Sequence, residues 1–174
     1  MTGSAVSGKD LTDAAYDIAK RYLSEVNDGG RSLRRAKRVA AAAARHARMG
    51  GVDVYRLMAA GFVVGIGRSP LIAAATGDIH RDAAVAISGT PVQDLAGLIA
   101  WHAWAPFEAE LRGHTIAAPR PTCAEQRCLW LADMTIGVDG APCTITTRLL
   151  TLHLTTPEGP TKTAIASLIQ QRGT

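Results

Sequence analysis

The run Val39-Ala40-Ala41-Ala42-Ala43-Ala44 limits the fold more than any other feature of the chain. Alanine is the strongest helix former and adds no bulk, so the run predicts the middle of a helix that its neighbours approach closely. Composition extends the argument. Apolar residues make up 47% of the 174 residues and aromatics only 5%, so the core has to come from Ala, Leu, Val and Ile, which favours packed helices over a strand-rich sandwich. A domain of this length buries about 70% of the surface its unfolded chain exposes, and needs neither disulfide nor metal to fold.

Caps and breakers divide the remaining sequence into helical segments. Leu11, Ala15, Ile18, Tyr22 and Val26 recur at helical spacing from Asp10 until Asn27-Asp28-Gly29-Gly30. Ser32 is the expected N-cap of a second helix, which carries the alanine run and stops at Gly50-Gly51. Asp53 is the expected cap of a third, with Leu57, Met58, Gly61 and Phe62 facing inward. Residues 70–75 read as a short helical turn. Asp78 caps a fourth helix, and Thr90-Pro91 opens a fifth that runs to Trp101. Further helices are expected over 107–111, over 123–134, after Thr144, and over 161–171. Residues 1–9 are small and polar and read as a flexible tail ahead of a domain spanning 10–174. The expected fold is all-α, in one multi-helix domain.

Charge and cysteines narrow the partners. The formal charge is +4, with five basic residues in Arg31-Ser32-Leu33-Arg34-Arg35-Ala36-Lys37-Arg38. Such a cluster can neutralise phosphates, but no aromatic interleaves with it, so a solvated helix start is the better reading and nucleic acid the weaker one. The three cysteines, Cys123, Cys128 and Cys143, form no CxxC pair, which argues for reduced thiols and a cytoplasmic setting. The first ten residues have no apolar signal core and no apolar run is long enough to span a bilayer, so no membrane association is expected.

The stretch Gly61-Phe62-Val63-Val64-Gly65-Ile66-Gly67-Arg68-Ser69-Pro70 resembles a phrase of HD-domain proteins, a metal-dependent phosphohydrolase superfamily, that commonly reads ALLHDIGYSP. Val64-Gly65 stand where that phrase has His-Asp. The resemblance extends over residues 11–152. Lys37, in Arg34-Arg35-Ala36-Lys37, falls where relatives carry a first histidine ligand. Thr76-Gly77-Asp78-Ile79-His80-Arg81-Asp82-Ala83 is similar to TGFHPLDGA, with Ile79 at the histidine position and His80 one step on. The segment from Trp101 to Gly113 resembles HHSGARFEAELRG and keeps one histidine, His102. Leu131-Ala132-Asp133-Met134-Thr135 resembles the family's ADMT phrase, with Asp133 surviving, and Gly137-Val138-Asp139-Gly140 resembles its GPDG turn.

A site of this family would hold a divalent cation through neutral imidazoles and carboxylates. Val64 has no lone pair, Gly65 has no side chain, and Lys37 would repel a cation. The resemblance therefore implies an HD-type helical domain that has lost metal-dependent phosphohydrolase activity. It would serve as a regulatory or binding module, with no catalytic residue and no cofactor. Lys37, Val64, Gly65, Arg68, His102 and Asp133 would form its vestigial or anion-binding pocket, facing a phosphate-containing small molecule, with a protein partner as the other possibility. A buried Asp133 needs a partner, and Lys37 is the expected one. The alternative is an active phosphohydrolase, acting on nucleotides or other phosphoesters with manganese or iron on a rebuilt set of His80, His102 and Asp133. His80 and Asp82 lie two apart and make a poor chelate, so His80 reads as an exposed helix-start residue and His102 as a buried, hydrogen-bonded one.

Overall fold

A computed structural model describes residues 7–72 and 76–172, with the side chains of 171 and 172 left aside. Among these residues it is all-helical, with nine α-helices and no strand: α1 (Gly8–Leu23), α2 (Arg31–Gly50), α3 (Val54–Val63), α4 (Ile79–Ala86), α5 (Ala96–Ala100), α6 (Ala105–Leu111), α7 (Cys123–Met134), α8 (Ile145–Thr155) and α9 (Pro160–Arg172). No helix among them is long and apolar enough to cross a membrane. The expected tail gives way to helix at Gly8, where Ser7 Oγ caps the first turn, and residues 1–6 lie outside the described set. Half of the turn expected over 70–75 falls on residues 73–75, which also lie outside it.

The alanine run does what its lack of bulk predicts. Ala40, Ala42, Ala43 and Ala44 are buried, and α2 packs against α3 so closely that a Cβ on Gly61 would come within 2.7 Å of the Ala40 Cα. Around this contact α1 to α5 and α7 form one apolar cluster. A second cluster joins Trp104 to Trp130 and Met134 of α7, Leu149 and Leu152 of α8, and Ile165 and Leu168 of α9. Glu108 ties the end of α6 to α9: fully buried, its Oε1 accepts from Arg112 Nε and Nη2 (3.0 and 2.8 Å) and from Thr161 Oγ1 (2.6 Å).

Two expected starts shift for local reasons. Ser32 is not the cap of α2. Its amide and hydroxyl both donate to Asp28 Oδ2 (2.8 and 2.6 Å), and the helix enters two residues earlier, from Gly30 at φ 75°. Thr90-Pro91 does not open α5 either. Thr90 Oγ1 donates to Ile87 O (2.6 Å), holding a turn, and a 3₁₀ segment over Gln93–Leu95 precedes the helix. Asp53, Asp78 and Thr144 cap α3, α4 and α8 as expected, and Thr122 caps α7 through a reciprocal box with Glu125.

Candidate functional site

A small pocket lies between the two apolar clusters, lined by residues from α1, α2, α3, α4 and α7. Its volume is about 40 Å³. Its carboxylate is Asp133, buried near the end of α7. Arg35 holds it: Nη2 donates to Asp133 Oδ1 (2.7 Å), to Asp133 O (3.0 Å) and to Ile136 O (3.2 Å), while Nε donates to Gly137 O (3.1 Å). One guanidinium thus neutralises the carboxylate and satisfies three carbonyls where α7 ends.

The expected Lys37–Asp133 contact is replaced by this one. At 3.6 residues per turn, two positions along α2 rotate the side chain roughly 200°. Arg35 and Ala36 therefore face inward while Lys37 points away, exposed, with its ammonium 5.1 Å from the Tyr16 ring centre. The structure thus takes Lys37 out of the expected pocket. Val64, Gly65, Arg68 and Asp133 do line it, and a Cβ added to Gly65 would meet nothing within 4 Å.

His80 is the second correction: it is buried, not exposed. Gly67 causes this. A Cβ there would collide with the Ile79 carbonyl, so only glycine lets the start of α4 come down onto the turn after α3. The His80 ring then packs edge-on against His102 (5.2 Å between centres) and Trp104 (5.1 Å). Both of its nitrogens, and Trp104 Nε1, are buried without a hydrogen-bond partner. Asp82 points elsewhere and accepts from Thr76 N and Oγ1 (3.0 and 2.8 Å), as the two-residue spacing predicts.

His102 is buried as expected. Its Nε2 stands 3.4 Å from Asp133 Oδ2, too poorly directed for a hydrogen bond. Ala103 follows at φ 51°, a left-handed conformation costly for a residue with a Cβ, in the turn that sends both His102 and Trp104 inward.

The electrostatics are cationic. Burial alone would raise the Asp133 carboxyl, but Arg35, then His102 and Arg148, outweigh it and hold it well below the usual carboxylate range. Burial, then the neighbouring His102, pushes His80 well below 6.5, so it is neutral at pH 7. Arg148 is buried with Nε and Nη1 unpartnered, and burial, then Arg35, brings it down to about 10. Arg68 is lowered by loss of hydration and by Arg35, yet solvent reaches its side chain, so it sits in an open concavity and not a dry core.

Arg35 occupies Oδ1 of the carboxylate, Arg68 lines the same pocket, and no three His, Cys, Asp or Glu side chains among the described residues form a group able to hold a metal ion. Of the cysteines, all free, only Cys128 is buried. Nothing local in the sequence marks Arg35 or Trp104, since their roles depend on the phase of α2 and the turn at Ala103. No protein-family model, curated protein or solved structure matches the chain.

Proposed function

We propose that this chain is a non-catalytic helical module of HD type whose central pocket binds the phosphoryl end of a small molecule. The observation that carries this reading is a surplus of donors. Arg68 faces the pocket with no ion-pair or hydrogen-bond partner among the described residues, and His80 and Trp104 bring buried N–H groups that lack acceptors. Buried donors without acceptors are costly, and an oxyanion supplies acceptors and charge together. A water needs roughly 10–15 Å³ of such space, so the pocket has room for about three, comparable to one phosphoryl group with the rest of the ligand outside.

A rebuilt metal-dependent hydrolase is the competing reading, and what favours it is the cluster of His80, His102 and Asp133. Two measurements on the same sample separate the readings. Elemental analysis follows exposure to manganese and iron and removal of loose ions, and calorimetry follows titration with phosphate and pyrophosphate. The module reading expects far less than one metal per chain, together with oxyanion binding that Arg68→Glu weakens at least about tenfold. Near-stoichiometric metal that is lost in Asp133→Ala would overturn it in favour of the enzyme.

A further inference from the structure

We propose a second binding site on the other side of His102, one that takes a small amphipathic carboxylate. A cavity of about 380 Å³ opens there. That lies near the lower end of the range of roughly 300–1,000 Å³ typical of small-molecule sites. Its floor is apolar, with Leu98, Trp101, Trp130 and Leu168 drawn from both clusters, and among the described residues no aspartate or glutamate lines it.

Beside Gln126 and Cys123, which can serve either sign, three of its polar groups favour an anion. Arg120 stacks with its guanidinium 5.2 Å from the Trp101 ring centre, and Trp101 is held by its Nε1–H donating to Ala118 O (2.9 Å). Neither Arg120 nor Arg127 has a carboxylate partner among the described residues. The third group is His102 itself, whose side chain is 2% exposed. Its Nε2 stands 3.4 Å from Asp133 Oδ2, and His102 lines this cavity and not the central pocket. An imidazole and two guanidiniums thus line one cavity with an aromatic floor. That arrangement fits a planar carboxylate on an aryl or medium-chain tail: the fork of Arg127 matches the two oxygens, and the floor removes the tail from water. A strongly hydrated polyanion would forgo the floor.

The test uses the full chain and four probes, octanoate and 3-phenylpropionate against the uncharged octanamide and 3-phenylpropanamide. Binding is read by calorimetry and by the fluorescence of the tryptophans that line the cavity. The acids are expected to bind about tenfold or more tighter than the matched amides, the effect of one charge-assisted hydrogen bond. The preference should vanish in Arg127→Glu, an exposed substitution whose folding is checked by circular dichroism. Equal binding of acid and amide, a preference that survives Arg127→Glu, or no binding of either acid at millimolar concentration would each overturn the proposal. None of these outcomes bears on the central pocket, whose test reads Arg68 and inorganic oxyanions.

Discussion

Replacing Arg35 by methionine keeps an unbranched apolar stem reaching about as far as the arginine Nε while removing the guanidinium. The structure gives the size of the effect. Four hydrogen bonds are lost, one to a buried carboxylate at 2.7 Å and three to carbonyls at the end of α7. Asp133 is then buried with no strong counter-charge other than Arg148 and His102. Breaking a buried pair from one side costs about 3–5 kcal/mol, because the remaining charge stays desolvated. The same substitution at Lys37, exposed over Tyr16, removes at most one surface cation–π contact, about 0.5–1 kcal/mol. Urea unfolding followed by far-UV circular dichroism measures both. The double variant Arg35→Met/Asp133→Leu should recover much of the Arg35→Met loss, since removing both partners leaves no orphaned charge. If Arg35→Met and Lys37→Met cost the same within error, or if the double variant is no more stable than Arg35→Met, the assignment of Arg35 as the partner of Asp133 is wrong.

Two further predictions concern packing and pH. Gly61→Ala raises helix propensity by about 1 kcal/mol but places a methyl 2.7 Å from Ala40 Cα, so a net loss of about 1–3 kcal/mol is expected in thermal or urea unfolding; a gain in stability would mean that α2 and α3 are not in backbone contact. His80 has a folded-state pKa well below 6.5, set by burial, then by His102 and Arg68 against the opposing pull of Asp133, so the unfolded chain binds the extra proton. Its contribution is therefore neutral above pH 6.5, and stability falls below it by roughly 1.4 kcal/mol per unit until the folded-state pKa is reached. Comparing wild type with His80→Phe between pH 6.5 and 4.5, above the range where Asp133 takes up its proton in the unfolded chain, isolates that slope; equal slopes would show that His80 titrates normally.

Helices announced by a side-chain cap were legible in the sequence. Asp53, Asp78 and Thr144 each put an oxygen where the first free amides need one, and helices begin there. The errors arise where the same residue types had another partner: Ser32 is drawn to Asp28, and Thr90 to the Ile87 carbonyl. The site was legible as a neighbourhood but not as a set of contacts. Val64, Gly65, Arg68, His102 and Asp133 do gather at or beside one pocket. Which basic residue of the run from Arg31 to Arg38 faces Asp133 depends on the rotation of α2. The alanine run cannot reveal it, because Ala41, identical in sequence to its neighbours, is exposed among buried ones. His80 was misplaced because its burial depends on Gly67 admitting the start of α4, a contact between elements that no local spacing expresses. The outer cavity draws Trp101, Arg120 and Arg127 from three different segments, so nothing local marks it.

The sign of the charge in the central pocket decides what occupant would stabilise the fold. Arg35, Arg68 and Arg148 act on one another as well as on Asp133, and their mutual repulsion contributes to the lowered pKa of both Arg68 and Arg148. Asp133 answers one of these charges and has one of its oxygens taken by Arg35. A divalent cation would add to the repulsion, and Arg35 already occupies Oδ1 of Asp133 with the contact that also closes α7. An oxyanion beside Arg68 would relieve the repulsion, give the buried N–H groups of His80 and Trp104 an acceptor, and leave the Arg35 contact intact. On the proposed reading, the absence of ligating side chains at Val64 and Gly65 also shapes the pocket. In a pocket where the guanidiniums outnumber the carboxylate, it leaves open space beside Gly65 that favours a ligand of the opposite sign.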